Sequence, residues 1–249
     1  LMFRYQWNIS KGLGFVKKAT LINNGKENRN LNIIDGLQNI MPSGIELNTQ
    51  QTMSNLSNAY RHSEVLSPTK CAIFSLTSLL MDRPEPGESL RANTVWCSSN
   101  VSYKTSLCSN QLKRFKNQLD FEEVHLLTGK PGSFLVNISE CIEPKSEISW
   151  DIISDINRTQ VDISNLIHQI EHDHELSCKI RDGIKEESLN LEKYIGSADG
   201  FHGTKELIND MHHTANVLFN IMRGGIPFND YNIDKSDLLS FVKLRNKHV

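Results

Sequence analysis

Two rhythms of hydrophobic and polar positions divide the chain. Up to about residue 155 the side chains alternate with the two-residue period of a strand buried on one face. Residues 15–22 are one such run. They meet the turn signal Asn23-Asn24-Gly25 and are followed by Leu31-Asn32-Ile33-Ile34-Asp35, so the two runs are predicted to be antiparallel neighbours joined by a polar loop. Further strands are predicted over residues 71–79, 93–99, 133–139 and 147–154. In the last of these Ile148, Trp150 and Ile152 share one face. Pro42-Ser43-Gly44, Arg83-Pro84-Glu85-Pro86-Gly87 and Gly129-Lys130-Pro131-Gly132 punctuate the series. One helical insertion is predicted over residues 109–119, with Ser109 as its cap. Many strands without intervening βαβ units predict an antiparallel sandwich.

From about Asn157 the period changes to three and four. Ile163, Ile167, Ile170, His174, Ser177 and Ile184 mark one face of a single amphipathic helix of six or seven turns, which Gly183 kinks or ends. A second helix is predicted over residues 205–222, with Leu207, Met211, Ala215, Leu218 and Met222 as its apolar stripe, widened by Ile208, Thr214 and Ile221. Arg223-Gly224-Gly225 and then Pro227 stop it. A third begins near Asp234, with Asp237 at capping-box spacing. The predicted organisation is a sandwich over residues 1–155, a linker helix region over 156–196 and the start of a helical domain over 197–249. The opening Leu1-Met2-Phe3-Arg4-Tyr5-Gln6-Trp7 reads as if it enters in mid-strand, which suggests an internal piece of a longer protein.

Composition narrows the function classes. The chain has 249 residues, and 27 basic against 29 acidic side chains give a net charge of −2, which argues against a nucleic-acid backbone or an anionic membrane as main partner. No apolar run approaches the length of a membrane span. No basic segment followed by an apolar core opens the chain, which for an internal piece leaves the location unknown, the cytoplasm being slightly favoured over the periplasm or secretion. Five cysteines without a CxxC pair read as thiols rather than as a disulfide or metal framework. Sequons at Asn8, Asn55, Asn100, Asn137 and Asn157 are what an asparagine-rich chain produces by chance.

Several segments carry a resemblance. Tyr5-Gln6-Trp7-Asn8-Ile9-Ser10-Lys11-Gly12-Leu13-Gly14-Phe15-Val16, running on to Asn23, looks like an early strand pair of a sandwich, and Ile34-Asp35-Gly36-Leu37-Gln38-Asn39-Ile40-Met41-Pro42 continues it. Glu143-Pro144-Lys145-Ser146-Glu147-Ile148-Ser149-Trp150 looks like its closing loop and last strand. Asn216-Val217-Leu218-Phe219-Asn220-Ile221-Met222-Arg223-Gly224-Gly225 looks like the entry to a helical domain. Together they resemble cellobiose-phosphorylase-like and related glycoside-hydrolase-like proteins. The resemblance implies an α+β chain: an antiparallel, galactose-mutarotase-like β-supersandwich, then linker helices and the start of an (α/α)6 barrel. It implies a parent glycoside phosphorylase or hydrolase acting on gluco-oligosaccharides, with the catalytic acid in the barrel and a non-catalytic role for this part. A homodimer of the full-length protein is compatible with it. No metal or organic cofactor is implied, and inorganic phosphate would be a co-substrate of a phosphorylase. The alternative is a non-catalytic carbohydrate-binding or interaction module.

Candidate site residues are few. Asp199-Gly200-Phe201-His202 places an acid, an aromatic and an imidazole in a loop between helices, where Asp199 and His202 would face a sugar; the same residues also make a turn whose Asp caps the next helix. Arg223, with its glycines, would present a guanidinium and N–H groups to phosphate, or else neutralise the last carbonyls of its helix. His168 and His172 have the spacing of zinc ligands but also suit a solvated helix, and no third ligand is placed. His212 and His213 read as interhelical hydrogen-bonding residues. Trp7, Trp96 and Trp150 would either stack on sugars or pack the sandwich. Glycoside cleavage needs a proton donor and an opposing group, and no carboxylate is marked by an apolar setting. A free-standing epimerase-like sandwich would need a His and Glu pair, and the sandwich half offers His62 and His125 without a distinctive partner. Gly12-Leu13-Gly14 precedes a strand and is no phosphate loop.

Overall fold

The computed structural model describes residues 1–79, 87–224 and 232–246. The chain is α+β: every paired strand is antiparallel, and seven helices occur among the described residues. It divides into two compact units, Leu1–Ile184 and Lys185–Val249.

The first unit contains β1 (Met2–Ser10), β2 (Gly14–Ile22), β3 (Arg29–Ile40), α1 (Leu47–Thr52), α2 (Ser54–Ala59), β4 (Arg61–Leu66), β5 (Cys71–Leu76), β6 (Arg91–Ser99), β7 (Lys104–Ser106), α3 (Asn110–Lys116), β8 (Leu126–Thr128), β9 (Gly132–Ile142), β10 (Glu147–Thr159) and α4 (Gln160–His172). Seven strands form one sheet in the order β1-β2-β10-β6-β5-β4-β8, and β3-β9-β7 form the other. The two sheets meet through Ala19 and Leu21 of β2, Phe74 of β5, Val95 and Cys97 of β6, Phe134, Val136 and Ile138 of β9, and Ile148, Trp150 and Ile152 of β10. The predicted face of β10 is thus buried as expected. Full burial of each such side chain contributes about 1.5–3 kcal/mol.

One polar group crosses this core. Asp35 of β3 pairs with Lys17 of β2, and the Trp150 indole donates to Asp35 Oδ2 at 2.8 Å. The pair is mostly buried and is satisfied on several sides, the condition under which a charge is tolerated in a core.

The predicted hairpin of residues 15–22 with 31–35 does not form. β2 pairs with β1 and β10, while β3 pairs with β9 in the other sheet. The reason is Asn23, which is buried at the corner. Its Nδ2 donates to Glu27 O at 2.8 Å and Ile142 O at 2.9 Å, and its backbone exchanges hydrogen bonds with the turn at residues 145–146. The polar loop therefore carries the chain between sheets. The strand pair expected over residues 5–23 does form, as β1 and β2. β4, β7 and β8 and the short helices α1 and α2 carried no expectation.

The change of rhythm at Asn157 has a physical basis. Asn157 adopts φ 59° where the β10 register shifts, and its N–H donates to Asn93 Oδ1 at 2.8 Å. The strand resumes to Thr159, which opens α4 with a reciprocal capping box to Asp162. The single long helix is corrected to two: α4 ends at His172 and α5 (Leu176–Ser197) follows. Asp173 leaves helical geometry and accepts from Glu175 N–H at 3.0 Å and from Lys179 Nζ at 2.5 Å, which starts the new helix. α5 runs through Gly183 without ending there. A Cβ at that position would stand 2.3 Å from Ser10 Oγ, so the glycine serves close approach to the β1–β2 turn. Leu166, Leu176 and Ile180 pack with Val16, Trp96 and Ile153 in a second core on the outer face of the large sheet.

The second unit holds the end of α5, α6 (Leu207–Met222) and α7 (Lys235–Arg245). The predicted stripe of α6 is packed only in part: Leu207, Ile208, Met211, Ala215 and Met222 are exposed, while Thr214, Leu218 and Ile221 are half-buried beside buried Val217, and Thr214 donates to Gly200 O at 2.8 Å. Gly200 decides this, because it lets its backbone approach Ile195 and Val217 more closely than a Cβ would permit. Asp234 caps α7 by accepting from Ser236 and Asp237 N–H. At the start of α3 the predicted cap Ser109 holds the position, but its hydroxyl makes no capping bond. The turn predicted at residues 83–87, apart from Gly87, and the stop at Gly225 and Pro227 lie outside the described residues.

Candidate functional site

The first unit carries a groove of about 770 Å³ on the outer face of the β3-β9-β7 sheet. Its floor follows from strand alternation. Ile33, Val136 and Ile138 point to the core, so Asn32, Asn137 and Ser139 point away from it. Cross-strand register sets Asn32 opposite Ser139 and Lys104 opposite Asn137. Asn32 Oδ1 accepts from Asn137 Nδ2 at 2.6 Å and from Ser139 Oγ at 3.1 Å, and Asn137 Nδ2 also reaches Ile33 O at 2.9 Å. Among the described residues these bonds leave Asn137 Oδ1 as an acceptor and Asn32 Nδ2 as a donor without a protein partner.

The wall is α3 with the segment after it. Phe115, Lys116, Gln118, Leu119, Asp120 and Phe121 line the groove. Gln118 takes φ 57° to turn the chain. Buried Gln111 accepts from Glu122 N–H at 2.9 Å, and Arg114 holds Asp120 O at 3.1 Å and the Glu122 carboxylate at 2.7 Å. The wall is therefore held by side chains of the helix it leaves. Two aromatic rings, three amides, a hydroxyl, two ammonium groups and a carboxylate meet in one groove. That set can stack on an apolar ring face while exchanging hydrogen bonds with hydroxyls.

The candidate substrate-binding residues Asp199, His202 and Arg223 lie elsewhere, in the second unit. Asp199 follows the α5 C-terminus with φ 55°, its side chain almost wholly exposed, so it belongs to the end of α5 rather than capping the next helix. His202 stacks on His213 with centroids 3.7 Å apart, and His213 Nε2 lies 2.9 Å from Asp199 O, the interhelical role expected of it. His202 Nε2 stands 4.0 Å from Asp199 Oδ2. Arg223 sits over the Phe219 ring at 5.2 Å, ten residues and about 15 Å of helix from His213. The structure thus brings Asp199 and His202 together around His213 and leaves Arg223 apart.

Trp96 and Trp150 are packing residues on opposite faces of the large sheet, whereas Trp7 is exposed. The His168 and His172 rings meet edge-on at 4.6 Å. Among the described residues no group of three or more His, Cys, Asp or Glu side chains is placed to hold a metal ion. His62 and His125 each lie 3.7 Å from a carboxylate two positions away, Glu64 and Glu123. One carboxylate does have an apolar setting, contrary to the sequence reading: burial pushes the Asp151 carboxyl up, with Lys18 acting against the shift.

The groove was not marked in the sequence as a site. Its signals were there: polar Asn137 and Ser139 flanking a core isoleucine, and a short helix with Phe115 and Phe121 at its end. Neither signal stands out until the fold joins them. The chain matches no family model and no curated protein.

Proposed function

We propose that this chain is the non-catalytic, sugar-holding part of a carbohydrate-active protein, a galactose-mutarotase-like sandwich with helices leading toward an (α/α)6 catalytic domain. The parent activity is phosphorolysis or hydrolysis of gluco-oligosaccharides, and this part holds the oligosaccharide. The observation that carries the reading is the groove, lined by Phe115 and Phe121 together with Asn32, Asn137, Ser139, Lys104 and Asp120. Pyranose rings present apolar faces and equatorial hydroxyls, and the groove offers a partner to each. Asp199, His202 and Arg223 form no such enclosure.

The test is calorimetric titration of the chain with gluco-oligosaccharides. Saturable binding is expected, with at least a tenfold loss in Phe121→Ala at unchanged melting temperature; tenfold corresponds to about 1.4 kcal/mol. Absence of binding to any gluco-oligosaccharide overturns the reading. Incubation with gluco-disaccharides, with and without phosphate, is expected to give no turnover. The second reading, a carbohydrate-binding module with no catalytic partner, is favoured by the groove's lying entirely within the first unit.

A further inference from the structure

A second hollow of about 390 Å³ lies beside the groove and is lined only by β3 and β9, through Asn30, Leu31, Asn32, Ser139, Glu140 and Cys141. Asn32 and Ser139 line both hollows, so the two form one cleft, and the hydrogen bond from Ser139 Oγ to Asn32 Oδ1 marks its waist. The ladder explains this continuity. Ile34 stands opposite Asn137, Asn32 opposite Ser139 and Asn30 opposite Cys141, while Leu31, Ile33, Ile138 and Ile142 alternate with them and pack in the core. Asn30, Asn32, Ser139 and Cys141 are therefore exposed on one outward face. From Asn137 to Cys141 the cleft follows β9 for about 14 Å at the rise of an extended strand. A single pyranose ring does not cover that length.

The two ends differ in chemistry. The α3 end carries Phe115 and Phe121, which can stack on a sugar ring. Among the described residues no aromatic ring lines the far end, which offers the Asn30 amide and the Glu140 carboxylate. Asn32 Nδ2, a donor without a protein partner among the described residues, stands between the two. Hydrogen bonds on an exposed floor are individually weak, because water competes for the same groups. The far end can add affinity only for a ligand already anchored at the aromatic end, where the second contact becomes intramolecular.

We propose that the cleft is a series of subsites for a linear gluco-oligosaccharide longer than a disaccharide. One ring is held at the Phe115 and Phe121 end, and the following rings lie along the Asn32–Ser139 and Asn30–Cys141 pairs. Asn30 and Cys141 thereby set the preference for chain length. This proposal rests on the reading of the groove as a sugar site and adds the length and direction of its ligand.

The test is calorimetric titration of the 249-residue chain with linear gluco-oligosaccharides from the disaccharide to the hexasaccharide. Affinity is expected to rise at least tenfold over that series. Asn30→Ala removes an amide from the far end, and Cys141→Arg lays a long side chain across it; both positions are exposed, so melting temperatures should stay close to the parent. Each variant should abolish the gain with length and leave disaccharide affinity unchanged. Phe121→Ala, in contrast, should weaken every length alike. Equal affinity for all lengths in the parent overturns the subsite series and leaves the groove as a sugar site. So does a loss of disaccharide binding in Asn30→Ala and Cys141→Arg equal to the loss for longer chains. Absence of binding at every length overturns both readings.

Discussion

Asp151 is a carboxylate that the fold is better off leaving uncharged. It lies on β10 between Lys18 of β2 and Ser98 of β6, and its Oδ1 is buried without a hydrogen-bond partner. Burial raises its pKa from the ordinary 3.8, against the pull of Lys18. The folded state therefore binds this proton more tightly than the unfolded chain does. The stability it contributes is complete below the unfolded value and is lost as pH rises through the raised folded one. Asp151→Asn keeps the shape and removes the charge. It is expected to melt a few degrees above the parent at neutral pH, and the gap should close below the carboxylate range; calorimetry across that range checks it. In the sequence Asp151 was one polar residue of an alternating strand. Alternation shows which face it takes, but not that helices cover part of that face.

Elements were read most securely where one face is buried in a uniform way. β10 follows its alternation, because Ile148, Trp150 and Ile152 meet a whole opposing sheet. Pairing partners were not legible: the six residues between β2 and β3 open on one buried asparagine, and nothing in the pattern of residues 15–35 distinguishes a hairpin from a corner. The helices failed for a similar reason. Asp173 interrupts a periodic face without disturbing its period, and α6 packs on the margin of its predicted stripe, at Thr214, Leu218 and Ile221, where Gly200 opens a close approach at Val217. Gly183 also belongs to this scale. Alanine there would improve intrinsic helix propensity by about 1 kcal/mol, but its Cβ would stand 2.3 Å from Ser10 Oγ, a hydroxyl that donates to Ile180 O at 3.2 Å. Gly183→Ala is expected to destabilise the chain by about 1–3 kcal/mol net, measured by urea unfolding. A neutral or stabilising result would show that α5 does not dock on the β1–β2 turn.

The first unit as a whole contains two separate cores, and its cysteines report on each. Cys97 lies between the sheets and Cys71 under the helices. Burial pushes the Cys71 thiol up to about 12 and raises Cys97 as well, so neither provides thiolate at neutral pH while the chain is folded. Cys141 and Cys178 are exposed. A thiol reagent is expected to modify Cys141 and Cys178 at once, and Cys71 and Cys97 only on unfolding. Equal rates for the last two, followed by mass spectrometry over a denaturant series, would mean that the cores open together. Unequal rates would mean that the helical layer lifts off the sheet first. The order of elements, a series of strands and then the longer helices, was legible in the sequence. The groove stayed hidden, because Asn32 and Asn137 are over a hundred residues apart and become neighbours only through the β3–β9 ladder.

The Lys17–Asp35–Trp150 contact also constrains how the two halves of the sandwich can be assembled. Greasy surfaces alone tolerate many near-equivalent alignments, since one aliphatic side chain substitutes for another at little cost. A misaligned collapse here would strand a lysine and an aspartate apart in a dry interior, at several kcal/mol for each ion. Three residues drawn from distant stretches of the polypeptide thus act as a lock that admits one mating of the sheets, and proofreading of the collapsed chain is built into its centre.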